Sequence, residues 1–125
     1  MMIESSKPRK QRRYRFGAPL HARQHFLHAH ISKELGEKLK LTKRSLQIAK
    51  GDSVKVVSGG HSGSEGKVTA VNLRKGFVYI DSIKRKNAKG KEISMPVHVS
   101  NVYITDLNLS DKIRAAKVKS FQKQK

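Results

Sequence analysis

The stretch Lys50–Ser82, KGDSVKVVSGGHSGSEGKVTAVNLRKGFVYIDS, decides the fold. Val54, Val56, Val57, Val68, Val71, Phe77, Val78, Tyr79 and Ile80 place β-branched and aromatic residues in runs of strand length. Gly59, Gly60, Gly63, Gly66 and Gly76 punctuate them, so the stretch reads as three short strands joined by glycine-bearing loops. Downstream, Ile83 leads into KRKNAKGKE, where Asn87 to Gly90 has turn chemistry between basic flanks. A fourth strand is expected at about Glu92–Val97, with Pro96 marking an edge or a strand end. His98–Asn101 reads as a tight turn and Val102–Leu107 as a fifth strand.

Loops this brief leave no room for parallel crossovers, so the expected fold is mainly β, a small five-stranded antiparallel barrel over residues 50–109. In an up-and-down order the loops Ser58–Glu65 and Lys84–Lys91 emerge at one end and the turn Asn72–Gly76 at the other. On that order the last strand releases the tail beside the first two loops, and the N-terminal arm enters from the opposite end.

Outside the barrel the chain is short elements and charge. Residues 1–16 form a basic arm in which KPRKQRRYRF surrounds Tyr14 and Phe16 with six Lys and Arg, with too little to bury to offset ordering entropy; alone it is expected to be disordered. Residues 17–49 read as short helices and a lead-in. One helix runs from Pro19 to about His28, and a second is KELGEKLKL, capped by Ser32, with Leu35 and Leu39 one turn apart and an extended lead-in from Thr42 to Ile48. Residues 110–125 read as a basic C-terminal helix or tail, with Ser110 as cap and Asp111 as first-turn acid.

The charge balance narrows the partners. Twenty-eight Lys and Arg against nine Asp and Glu give a formal +19 in 125 residues. Residues 1–23 carry seven basic side chains against one acid, residues 110–125 six against one, and residues 50–109 ten against five. Polybasic ends around a nearly ordinary middle fit a protein that neutralises a nucleic-acid backbone. No cysteine is present, which removes disulfides, thiolate chemistry and Cys-based zinc sites. No secretory leader and no membrane span are expected, since no apolar run approaches the roughly 20 residues a span needs.

Candidate RNA-binding residues follow from charge, aromatic interleaving and strand alternation. In the arm they are Lys7, Arg9, Lys10, Arg12, Arg13, Tyr14 and Arg15, with His21, Arg23 and His25 next to it. Lys55, Lys67, Arg74 and Lys75 alternate with core residues and should face outward; His61 and Gly66 sit in and beside the glycine loop, and Lys84, Arg85, Lys86 and Lys89 flank the later turn. Gly66 fits either a positive φ or a close approach of an RNA backbone, or else a bulge without RNA contact. His21, His25, His28 and His30 have spacings that metals can use, but no carboxylate lies among them; imidazole also suits RNA contact, to which His21 and His25 are assigned, and no metal or cofactor is expected.

The segment KGDSVKVVSGGHSGSEGKVTAVN resembles the KOW motif, with Gly66 as its characteristic glycine. Together with KPRKQRRYRF, APLHARQ, SKEL, RSLQIAKGD and PVHVSNVYIT, it is similar to the archaeal and eukaryotic branch of the large-subunit ribosomal protein numbered twenty-four in the universal scheme. The similarity covers roughly Lys7–Asp111, and it departs from the family at Ser62 and Gln47, where relatives often have lysine and proline. It implies an SH3-like barrel in a cytoplasmic ribosomal protein. Such a protein binds the 5′ region of large-subunit ribosomal RNA early in assembly and lies near the polypeptide exit tunnel, beside neighbouring ribosomal proteins and within reach of nascent-chain targeting factors.

Two other classes compete. A KOW module can serve transcription elongation by binding RNA polymerase or nascent RNA, although such proteins usually pair the motif with a further domain. A nuclease would need paired carboxylates, and the nine acids are scattered from Glu4 to Asp111 without an acid–base or metal constellation, so no enzyme is expected.

Overall fold

A computed structural model describes residues 4–122. The chain opens with helix α1 (Pro8–Gly17) and a single-turn helix α2 (Leu20–Arg23), continued by a 3-10 turn at Gln24–Phe26. Strand β1 (His28–Ile31), helix α3 (Lys33–Lys38) and strand β2 (Ser45–Gln47) follow. Then come β3 (Ser53–Val56), β4 (Glu65–Asn72), β5 (Phe77–Lys86), β6 (Glu92–His98), a 3-10 turn at Val99–Asn101, β7 (Val102–Asp106) and helix α4 (Lys112–Ser120).

All the strands join one sheet in the order β2-β1-β7-β3-β4-β5-β6. The five strands expected from the sequence form its contiguous part, β7 to β6. The sheet corrects three expectations. It has seven strands and not five, and it is mixed, because β1 runs parallel to β7 with His30 opposite Tyr103 and Ile31 opposite Ile104. It is also not a closed barrel: β1 occupies the outer edge of β7, which leaves that edge unable to receive β6.

Alternation explains how each strand buries one face. Val54 and Val56 of β3 and Val102 and Ile104 of β7 are buried while Lys55 and Tyr103 point outward. In β5 the buried set is Val78, Ile80 and then Ile83, a change of phase. It coincides with the register shift against β6 between Tyr79 and Lys84, where β5 advances five residues while β6 advances two, and the irregularity bends the strand and lets it serve the core along its length. Pro96 lies in the edge strand β6, where no further strand needs its missing N–H.

The region 17–49 differs most from its expected form. The α-helix stops at Arg23 and its 3-10 continuation at Phe26, and His28–Ile31, expected to start inside a helix, pairs as β1 with β2. Leu27, Ala29, Leu35, Leu46 and Ile48 from this region belong to the same buried cluster as Val54 and Ile104. Ser32 does cap α3, its Oγ accepting from the N–H of Leu35 at 3.3 Å.

The ends also differ. Residues 8–17 are helical where disorder is expected, with Pro8 in the first turn, but α1 buries no residue, in keeping with the composition behind that expectation. The cap of α4 is Asp111, not Ser110: its carboxylate accepts from the N–H groups of Ile113 (3.1 Å) and Arg114 (3.4 Å). Because β7 lies antiparallel to β3, with Val102 opposite Val56 and Asp106 opposite Ser53, the tail leaves at the start of β3, away from the loop 57–64. A simple meander would bring the tail out beside that loop; the 3-10 turn Val99–Asn101 instead carries the chain across from β6 to β3.

Candidate nucleic-acid interface

The two basic terminal segments are joined to the sheet by two fastenings, one for each. At the N-terminal end Arg23 is directed at three backbone carbonyls. Its Nε donates to Ala18 (2.7 Å), Nη1 to Arg74 in the β4–β5 turn (2.8 Å) and Nη2 to Phe16. The residue singled out for RNA contact therefore spends its guanidinium on joining the arm to the turn. Phe26 completes the junction: Tyr14 meets its ring edge-on at 6.2 Å, and the Arg15 guanidinium lies 5.7 Å from its centroid.

This junction brings the arm and the turn into one basic region. Lys7, Arg9, Lys10, Arg12, Arg13 and Arg15 are exposed, and Arg74 and Lys75 sit on the adjoining turn. There Asn72 Oδ1 accepts from the N–H groups of Arg74 (3.1 Å) and Lys75 (3.2 Å), fixing the bend. His21 and His25 are exposed beside it.

The remaining candidates lie on the sheet and the other loops. Lys55 forms an ion pair with Glu65 at 2.8 Å, and that hydrogen bond, followed by the Glu65 charge, holds the Lys55 ammonium above its usual basicity. Lys84 pairs with Glu92 at 3.5 Å. Both lysines are thus partly neutralised within the protein. Among the described residues no carboxylate lies within ion-pair distance of Lys67, Arg74, Lys75, Arg85, Lys86 or Lys89. Exposed His61 lies in the loop between β3 and β4, where Ser62 Oγ donates to the Val57 carbonyl at 2.8 Å.

Gly66 has a different reason from those weighed on sequence. Its φ is not positive. A Cβ there would fall 2.7 Å from Ile80 Cγ2 and 2.8 Å from Ser82 Oγ, and would strike Asp81 Oδ1, which accepts from the Lys67 N–H at 2.9 Å. The residue permits β5 to close on β4, so the close approach is the protein's own.

At the C-terminal end the fastening is buried. Asp52, in the KGD of the opening stretch, has no solvent exposure, and Arg114 of α4 meets it with two parallel bonds, Nη1 to Oδ1 and Nη2 to Oδ2, each 2.6 Å. The carboxylate also accepts from the N–H groups of Asn108 and Ala49, both at 2.9 Å. Arg114 in turn donates to the carbonyls of Asn108 (2.8 Å) and Gln47 (3.1 Å), so four segments meet at one ion pair. Gly51, at φ +91°, sits tightly under the Asn108 side chain there and suits only glycine. Asp52 and Arg114 are 62 residues apart, and no local pattern pairs them.

A cleft of about 490 Å³ opens between β2 and α4, lined by His28, Lys43, Leu46, Ile113, Lys117 and Phe121, among others. Partial burial, then Lys117, then His25 lower the basicity of His28 below its usual value. The rings of His25 and His28 are 6.4 Å apart, whereas His30 packs edge-on against Tyr103. Among the described residues no three His, Asp or Glu side chains converge on a metal-sized space. Nor is any helix long and apolar enough to cross a membrane.

Residues 5–120 match the family model that describes the ribosomal proteins called L26 in eukaryotes and their archaeal counterparts of the L24 type. The large ribosomal subunit protein uL24 of Methanospirillum hungatei is 50% identical over 116 residues, covering 93% of this chain and 95% of the relative. The proteins of the same name from Methanothrix thermoacetophila and Methanosarcina barkeri are 48% and 43% identical, over 86% and 92% of this chain and 90% and 97% of their own length. With matches that run through the arm junction, the KOW stretch and α4 alike, the chain belongs to this family of ribosomal proteins and not to a family of enzymes.

Proposed function

We propose that this chain is a structural constituent of the large ribosomal subunit in the cytoplasm. It binds the 5′ region of large-subunit ribosomal RNA during assembly and lies near the polypeptide exit tunnel, against neighbouring ribosomal proteins and open to nascent-chain targeting factors. The observation that carries this reading is end-to-end similarity to large-subunit proteins, 50% identity over 93% of the chain. The geometry supports it through the exposed basic side chains of α1 and of the β4–β5 turn, which Arg23 joins to one another beside the sheet. On this reading Lys7, Arg9, Lys10, Arg12, Arg13, Arg15, Arg74 and Lys75 contact phosphates, with Lys67, Arg85, Lys86 and Lys89 as a second set; shape, more than base sequence, decides the site.

The test is sedimentation of a tagged full-length chain from cells that supply it at native level. Stoichiometric occupancy of the large subunit after a high-salt wash is expected, with crosslinks to the 5′ region of its RNA. Recovery with RNA polymerase instead would establish the transcription-elongation alternative.

A further inference from the structure

The most exposed large apolar side chain among the described residues is Phe16, at 87%. Leu20, at 50%, follows close in the chain. An isolated exposed apolar residue is ordinary on a protein surface. Phe16 differs because its backbone is fixed: its carbonyl is one of the three held by Arg23, and the neighbouring residues Tyr14 and Arg15 are seated on Phe26. The ring therefore stands at the anchored end of α1, where the helix cannot turn it away. At the next residue, a Cβ on Gly17 would meet no atom within 4 Å beyond its own chain neighbours and helix.

The surroundings select the ligand. Every charged residue from Lys7 to Arg15 is basic, so a partner must be anionic around its edges and flat and apolar at the centre. Paired bases offer no face for this, while an unpaired nucleobase flanked by its own phosphates offers both features. We infer that Phe16 is a base-stacking platform for an unpaired nucleotide of structured RNA, with Arg13 and Arg15 on the adjoining phosphates. The inference rests on the RNA-binding reading above and assigns it one specific contact.

The full-length protein is titrated into two RNA hairpins, one fully paired and one with a single bulged 2-aminopurine, at several salt concentrations. Wild type should bind the bulged hairpin more tightly and change the probe's fluorescence. Phe16→Ala should lose that preference by about 5- to 150-fold, the range for one stacked base. It should keep the slope of log affinity against log salt, because stacking displaces no counterions. Phe16→Trp should retain the preference and Phe16→Leu should lose it. An unchanged preference in Phe16→Ala, or full retention in Phe16→Leu, would overturn the platform while leaving RNA binding intact. Absence of salt-dependent binding by wild type to either hairpin would defeat the underlying reading as well.

Discussion

Helices α1 and α4 are both short, basic and terminal, yet they stand in opposite relation to the fold. α1 buries no residue and is attached through the Phe16 carbonyl held by Arg23 and through Tyr14 and Arg15 on the Phe26 ring. α4 buries Val118 in the central core and sends Arg114 onto a carboxylate with no solvent exposure. The Thr42 N–H and hydroxyl, both 2.8 Å from the Phe121 carbonyl, close the C-terminal end of α4 on the body. Charge content therefore does not say which basic segment serves the partner. What separates them is burial: α4 places Val118 in the core and satisfies the buried Asp52, and α1 does neither.

The largest effect should come from breaking that pair. Asp52→Ala leaves Arg114 without its counter-charge, and Arg114→Leu leaves a buried carboxylate with two backbone N–H donors and no cation; each should cost about 3–5 kcal/mol in urea unfolding. The double variant should cost less than the sum of the two. Additive costs would mean that the two residues act separately and that α4 is a tail like α1.

This pair also marks where the sequence stops being readable. The strands from β3 to β7 are legible because valine and isoleucine alternate there with charge, and loops as short as Leu73–Gly76 fix the antiparallel sense. β1 and β2 are not, because HAHI and SLQ each bury only one fully enclosed side chain, Ala29 and Leu46, too few to show a period of two. The strand β7 that pairs with β1 lies some seventy residues away, so only tertiary pairing makes β1 a strand and stops the expected helix at Arg23. At the interface, exposed lysines and arginines follow from composition. The use of Arg23 inside the protein, and the neutralisation of Lys55 and Lys84 by acids across the sheet, depend on registers that composition does not contain.

A smaller effect should follow from cutting the anchor of α1. Arg23→Ala removes three hydrogen bonds at a partly exposed site and should cost about 1 kcal/mol. Arg23→Lys should not recover it, since one ammonium cannot reproduce a planar fork aimed at three carbonyls. RNA affinity should fall in both variants through loss of arm placement. A cost as large as that of Arg114→Leu would erase the distinction between the two helices.

Deleting residues 1–16 should change stability by less than about 0.5 kcal/mol, because α1 contributes no buried side chain. It should instead flatten the plot of log affinity against log salt by about 0.7–0.9 for each phosphate that the arm no longer neutralises. An unchanged slope would make the arm a bystander in RNA binding.

The smallest signal is also the most local report on how α4 is seated. Lys117 of α4 and His25 both add to the partial burial that holds His28 below the ordinary histidine pKa. Since the folded state binds this proton less readily than the unfolded state, the contribution of His28 to stability is complete above its unfolded value near 6.5 and declines as pH falls through the depressed folded value. Followed by NMR, the His28 titration midpoint should move up in Lys117→Ala. It should move up further in Arg114→Leu if losing the Asp52 pair lifts α4 and re-exposes the ring, whereas deletion of residues 1–16 should leave it in place. A midpoint unmoved in Arg114→Leu would mean that Val118 and the Phe121 contacts seat α4 without the ion pair, which would confine the role of Arg114 to satisfying Asp52.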